Sequence, residues 1–163
     1  MKQFNSFASF ATHLAQTAAA PAIALHHGLE AVAEKIEKTA QAEIGTYQGA
    51  VGPFPAWPQL AADTQAERVA LGFTANEPLL RSGQLRASYE HQVRGYEAII
   101  GSKSDIALWQ ELGTSRGIPP RPVLGPAVIH NHAYIMKVLG GAAVAGVMGN
   151  SSLPQSLGYD HTV

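Results

Sequence analysis

Two clusters of prolines limit where regular structure can form in this chain. Proline lacks a backbone N–H and fixes φ, so it is excluded from helix interiors and from central strands. We therefore predict an extended loop over 51–57 and a rigid extended segment over 117–122. The prolines that define these two segments are Pro53, Pro55, Pro58, Pro119, Pro120 and Pro122.

The block before the first cluster, 6–44, has the pattern of an amphipathic helix. Its apolar residues recur at three- and four-residue steps, which places them on one helical face. Glu34 and Lys38 stand in the favourable i, i+4 order. Pro21 predicts that the block is two helices or that a second helix begins there, and Gly45 is a plausible stop. The apolar residues are Leu25, Leu29, Val32 and Ile36.

The region between the clusters predicts a short helix and a β-hairpin. The helix is expected over about 63–71. The hairpin consists of the runs 85–93 and 96–101, separated by a turn at Arg94-Gly95. In the second run, alternation places Tyr96, Ala98 and Ile100 on one face and Glu97 and Ile99 on the other.

Two further helices are expected toward the C-terminus. Ser104 can cap a helix over Asp105–Leu112, which Gly113 ends. Pro126 suits the first residue of a long helix that reaches about Met148. The fold class is therefore α+β, a small antiparallel sheet packed by helices, with long N-terminal and C-terminal helices. The predicted regions are a helical region 1–48, an α+β core 49–128, a C-terminal helix 129–149 and a partner-contacting tail 150–163.

Composition restricts the classes of function. The 163 residues suit one domain, alone or with extensions. A charged fraction of only 14% suggests surface covered by other subunits, although an alanine-rich monomer would also fit. A net charge of −1 without a Lys/Arg cluster disfavours tight DNA binding, and the lack of cysteine excludes disulfides and thiolate metal sites. The N-terminus is a poor signal peptide, and the apolar run 138–148 is too short to span a bilayer, so we expect a soluble protein.

No constellation for catalysis is visible. The pattern Gly-x-Ser-x-Gly is absent, and no glycine loop is followed by Lys-Ser/Thr. His130-Asn131-His132 falls on the expected long helix, where the two imidazoles diverge. A metal-dependent enzyme or a regulatory binding module that uses His130 and His132 is the alternative function. The small residues of Gly140–Gly146 either allow close backbone approach or mark a frayed helix end.

The stretch 57–127 resembles an ordered set of motifs in phage virion morphogenesis proteins. Trp57–Leu60 with Thr64, followed by Leu79–Ser88, is similar to "W-x-x-L … L-x-x-T/S-G-x-L-x-x-S". Ile100–Ser102 and Ile106–Thr114 resemble "Y-A-x-x-x-E-F-G-T", and Ile118–Ala127 resembles "P-x-R-P-F-L-x-x-A". Ile106, Leu112 and Val123 replace aromatic residues of the pattern but remain apolar.

This resemblance implies a structural protein without catalytic residues or cofactors. Members of the family are neck, tail-completion and minor tail components of tailed bacteriophages, Mu-like virion morphogenesis proteins included. It implies a homo-oligomeric ring, most commonly a hexamer, that joins the head connector to the tail tube and lets DNA pass without specific binding. Tail terminator and head-closure subunits are the alternative positions. The expected location is the virion, with the host cytoplasm during assembly, and the expected partners are further copies and the neighbouring head-closure and tail proteins.

Eight residues are candidates for subunit contacts. A proline-rich arm loses little entropy when it docks on a neighbour, although a turn that closes the fold is an equally good explanation of 117–122. Arg121 between prolines suits a charge-assisted contact, for example with Glu111 of its own subunit. The candidates are Trp57, Trp109, Glu111, Ile118, Pro119, Pro120, Arg121 and Pro122.

Overall fold

A computed structural model describes residues 6–147 of the chain. The chain divides into two compact units. The first unit consists of the described residues of Met1–Ala33, Val93–Ala98 and Ala133–Val163, and the second of Glu34–Gln92 and Ile99–His132. The elements in chain order are α1 (Phe7–Glu43), α2 (Ala62–Ala70), α3 (Gln84–Ala87), β1 (Tyr89–Arg94), β2 (Glu97–Ser102), α4 (Asp105–Leu112), α5 (Leu124–His130) and α6 (His132–Val147). The predicted α+β class is confirmed, because helices pack on a two-stranded antiparallel sheet.

Helix α1 runs without interruption through Pro21, so the prediction of two helices was wrong. An interior proline removes one backbone hydrogen bond. Good helix formers such as Ala20 and Ala22 stand on both sides of it and favour continuation. The predicted apolar face is confirmed, since Val32 and Ile36 are buried and Leu25 and Leu29 are half-buried.

Helix α1 ends at Glu43, just before Gly45, the glycine that was predicted to stop it. Gly45 has φ +105°, a conformation that favours glycine, and its N–H donates to the carbonyl of Pro78 at 2.9 Å. The guanidinium of Arg86 donates to the carbonyl of Ile44. A long-range backbone contact and a side-chain contact therefore fix the last turn of α1 in the second unit.

The hairpin is shorter at its start than predicted. Residues 84–87 form α3, so a strand beginning at Leu85 was wrong; Gly83 precedes the helix with φ +82°, and the hydroxyl of Ser88 donates to the carbonyl of Leu85. In β2, Ala98 and Ile100 are half-buried while Glu97 and Ile99 are exposed, as alternation predicted. Tyr96 belongs to the turn and is exposed, so its assignment to the second strand, on the face of Ala98 and Ile100, was wrong.

Helix α4 has the predicted bounds, Asp105–Leu112. Gly113 follows it with φ +72°. Ser104 occupies the N-cap position, but its side chain makes no capping hydrogen bond, so that detail was wrong. Its backbone N–H donates to the hydroxyl of Ser102 at 3.1 Å, and this hydrogen bond links the start of α4 to the end of β2.

The expected long C-terminal helix is divided into α5 and α6 at Asn131. Pro126 is the third residue of α5, not the first residue of one long helix. The amide of Asn131 donates to the carbonyl of Ala127 and to the hydroxyl of Thr39, both at 2.8 Å. The bond to Thr39 joins residues far apart in sequence, so local pattern does not reveal the break.

The loop after α1 packs on α5 instead of running free. Val51 and Phe54 exchange two backbone hydrogen bonds of 2.9 Å and form an isolated bridge. The ring of Phe54 lies directly against Gly125, where an added Cβ would be 2.1 Å from its nearest ring carbon. The predicted loop 51–57 is therefore non-helical, as expected, but it is held closely against a helix.

The first unit packs through very small side chains. Ala24 of α1 and Ala142 and Ala145 of α6 form a buried cluster, and a Cβ at Gly28 would lie 3.1 Å from the Cβ of Ala142. Of the two explanations left open for Gly140–Gly146, close backbone approach holds at Ala142 and Ala145, whereas a Cβ at Gly140 would meet no atom within 4 Å. Within 6–147, no helix is both long and apolar enough to cross a membrane. The predicted tail 150–163 lies outside the described residues, and the four-region division of the chain stays a prediction.

Candidate functional site

Helix α4 has a reversed polarity: its large apolar side chains face the solvent, and its polar side chains face the interior of the second unit. Its outward face carries large apolar side chains, each about half exposed or more, whereas Ala107 is buried and Gln110 and Glu111 are half-buried. Surface helices of globular proteins normally bury their apolar side. The exposed fractions of the outward residues are Ile106 51%, Leu108 55%, Trp109 47% and Leu112 74%.

The inward side of α4 accepts hydrogen bonds from the backbone at the start of α5. Glu111 Oε1 accepts hydrogen bonds from the backbone N–H groups of Val123, at 2.9 Å, and Leu124, at 2.8 Å. A carboxylate at these groups satisfies free donors at the start of α5 and interacts favourably with the positive end of the helix. Glu111 is thus an intramolecular cap.

Arg121 does not pair with Glu111, so the contact suggested from sequence was wrong. Its guanidinium donates to the carbonyls of Pro58, at 3.0 and 3.2 Å, and Gln59, at 3.3 Å. Its backbone N–H donates to the carbonyl of Gln110 at 2.6 Å. Burial disfavours the charged form and lowers the pKa of Arg121. This side chain therefore connects the first proline-rich segment to the second.

Trp57 makes the same connection from the opposite side. It is 4% exposed, and its indole Nε1–H donates to the carbonyl of Pro122 at 3.0 Å. Trp57, Arg121 and Pro122 are all buried, so in this conformation they close the fold of the second unit and present little surface to a partner. The three motif pieces of the resemblance thus meet at a single hydrogen-bonded junction.

The remaining candidates lie toward the solvent. Trp109 and Ile118 line a cavity of about 380 Å³ together with Thr114, Ser115 and Arg116. Pro120 is exposed and Pro119 is half-buried. The loop is closed by the N–H of Thr114, which donates to the carbonyl of Ile118 at 2.9 Å. Ile118 therefore extends the outward face of α4, to which Trp109 belongs.

Sequence reasoning missed three members of this face, namely Ile106, Leu108 and Leu112. Their helical positions contained the signal. On a helix from Asp105 to Leu112, residues 107, 110 and 111 share one side and the large apolar residues share the other. A helical-wheel projection of the correctly predicted helix shows one strongly apolar side. Only the fold shows that this side faces the solvent.

His130 has a partner within the second unit. Its Nδ1 lies 3.0 Å from Oε1 of Glu43, a carboxylate that is almost fully buried. Burial raises the pKa of Glu43, the contact with His130 opposes that shift, and the nearby Glu111 adds to it. His132 is exposed, and within residues 6–147 no group of three or more His, Asp or Glu side chains is placed to hold a metal ion.

Comparison of the chain with family models, curated proteins and solved structures gave no significant match. The likeness to phage virion morphogenesis proteins therefore stays a resemblance of motifs.

Proposed function

We propose that this chain is a structural subunit of a tailed-bacteriophage particle, forming a ring of identical copies at the head–tail junction. In this function the ring joins the head connector to the tail tube and encloses the channel for DNA. Tail terminator and head-closure rings are the alternative positions. The observation that carries the proposal is the reversed polarity of α4.

The outward side chains of α4 form an apolar surface of a size that often marks a binding site. Together with Ile118 they expose roughly 500 Å², which lies within the range of about 300–600 Å² for the largest apolar patch on a typical monomer, a patch that is often functional. A standard protein–protein interface buries about 800 Å² on each partner. The outer face of α4 would therefore supply more than half of one side of such an interface.

The position of this face agrees with the resemblance. The inner residues of the matched stretch, among them Trp57 and Arg121, fix the backbone of the second unit through hydrogen bonds over long sequence distances. The outer residues of the same stretch are free to contact another subunit. A rigid support beneath an exposed apolar helix is what a repeated contact between identical copies requires.

Charge is consistent with a DNA channel. The net charge of the chain is −1, and a ring built from such subunits would not hold the phosphate backbone tightly. A strongly basic lumen would retain the genome during ejection. The proposed subunit therefore encloses DNA and does not recognise its sequence.

Light scattering and electron microscopy of the purified chain test self-association. We expect a concentration-dependent oligomer, and rings of six copies follow from the resemblance. Leu112→Glu should shift the assembly toward the monomer by at least tenfold in concentration, because it places a charge in the covered face. Gln92→Glu, an exposed change of the same added charge on β1, is the matched control and should assemble normally.

Particle analysis tests the location. Loss of this chain from the producing phage should leave filled heads and tails that do not join, and mass spectrometry should find the chain in complete particles. A chain that stays monomeric at every concentration and is missing from complete particles would contradict the proposal.

A further inference from the structure

A second cavity of the second unit, also of about 380 Å³, is rich in arginine and borders the outward face of α4 at Ile106. Arg68, Arg81 and Arg121 all line it. None of the described residues that line it is aspartate or glutamate. Hydroxyl and amide groups of Thr64, Ser82, Gln84 and Gln110 complete its polar lining.

Two of the three arginine residues are buried. Arg68 is 7% exposed and Arg121 is 5% exposed. Arg68 Nε donates to the carbonyl of Thr74 at 2.8 Å, and its Nη2 donates to the carbonyl of Leu80. In the part of the chain that the structure describes, both side chains donate to main-chain carbonyls and neither forms an ion pair with a carboxylate.

This arrangement leaves positive charge without a counter-charge. Burial of an ion is costly unless it is paired, and carbonyl dipoles compensate only part of that cost. A guanidinium has five N–H donors in a planar fork, and the main-chain bonds of Arg68 and Arg121 use only part of them. The lowered pKa of Arg121, which burial causes, agrees with an unneutralised site.

The third arginine stands at the rim. The side chain of Arg81 is half exposed and lies 5.2 Å from the centre of the Phe73 ring. Its contact with Glu67 is a single N···O distance of 3.5 Å between exposed groups, which is a weak ion pair. Arg81 can therefore turn toward an anion in the cavity at little cost.

We infer that this cavity is an oxyanion-binding site in which Arg68 and Arg121 form the charged base and Arg81 closes the rim. The inference does not depend on assembly into a ring. Two sources would supply the same chemistry, a free phosphate or a carboxylate from a protein side chain. Guanidinium forks bind both in a bidentate manner.

Thermal unfolding and calorimetric titration of the full chain test the site. Inorganic phosphate and N-acetylglutamate are added separately, with ionic strength matched by sodium chloride. At ten times its dissociation constant a bound anion should raise the Tm by about 4 °C. A response to phosphate alone identifies a free anion as the source, and a response to N-acetylglutamate identifies a carboxylate; both outcomes support the site.

Two variants with matched controls locate the binding. Arg81→Ala should weaken binding about tenfold, whereas Arg94→Ala, which removes an exposed arginine from β1, should leave it unchanged. Ser82→Glu brings a carboxylate to the cavity, so it should raise the Tm without ligand and abolish the response; Ser115→Glu, outside this cavity, should do neither. If neither anion binds, or if Arg81→Ala and Ser82→Glu respond like the unchanged chain, the inference is overturned.

Discussion

The two units of this molecule are packed differently, the first through small side chains and the second through long-range hydrogen bonds of large side chains. In the first unit, α1 and α6 contact each other through Ala24, Gly28 and Ala142, so the backbones approach closely. In the second unit, Trp57 and Arg121 donate hydrogen bonds to carbonyls more than sixty residues away, and loops are part of the packed interior.

This difference indicates which kind of substitution should destabilise each unit. A close helix contact tolerates loss of side-chain atoms, because few are present, but it does not tolerate added volume. A junction built on one large indole has the opposite sensitivity, since removal of the side chain leaves a cavity and an unpaired carbonyl. Opposite substitutions should therefore damage the two units.

The largest effect is expected from Trp57→Ala in the second unit. The variant removes a buried aromatic side chain and its bond to Pro122, which should lower the free energy of unfolding by about 3–5 kcal/mol. Urea denaturation followed by circular dichroism measures it. Trp57→Phe retains most of the volume and should cost less; equal stability of the alanine variant and the unchanged chain would refute the role of this junction.

An intermediate effect is expected from Gly28→Leu in the first unit. The added side chain meets Ala142 and should destabilise the helix contact by about 1–3 kcal/mol. Ala42→Leu, on an exposed position of α1, is the control and should change stability by less than about 0.5 kcal/mol. If both variants unfold at the same denaturant concentration, close packing at Gly28 is not important for stability.

A smaller, pH-dependent effect is expected from Glu43→Gln. Burial raises the pKa of Glu43 in the folded chain, so the folded state binds this proton more tightly than the unfolded state. Its contribution to stability is present below the ordinary value of 4.5 and is lost as pH rises through the raised pKa. The glutamine variant should therefore gain stability relative to the unchanged chain between pH 4 and pH 7.

Urea denaturation at several pH values measures this difference. Glu97→Gln, at an exposed position of β2, is the control and should follow the unchanged chain. A difference between the Glu43→Gln variant and the unchanged chain that is constant with pH, or that moves in the other direction, would contradict the assignment of a buried carboxyl.

Sequence was most informative where structure is determined locally. The bounds of α4, the stops at Gly45 and Gly113 and the alternation in β2 all follow from neighbouring residues. The outward direction of the apolar side of α4 did not follow, because the same pattern describes a helix with its apolar side buried.

The predictions that were wrong concern residues whose conformation depends on contacts with distant parts of the sequence. Asn131 interrupts the C-terminal helix with a hydrogen bond to Thr39, and Arg121 finds main-chain carbonyls near the first proline cluster in place of Glu111. Both partners are remote in sequence. Pro21 is the reverse case, a strong local signal that the surrounding helix overrides.

The contact of Phe54 with Gly125 restricts which amino-acid substitutions this chain can accept in evolution. No side chain fits at position 125 while the ring stays in place, so a side chain at position 125 requires a smaller residue at position 54 or a displaced ring. Insertions into the segment that carries Phe54 would displace the ring from the first turn of α5. We expect homologues to keep the length of this loop and to carry a side chain at position 125 only where residue 54 is small.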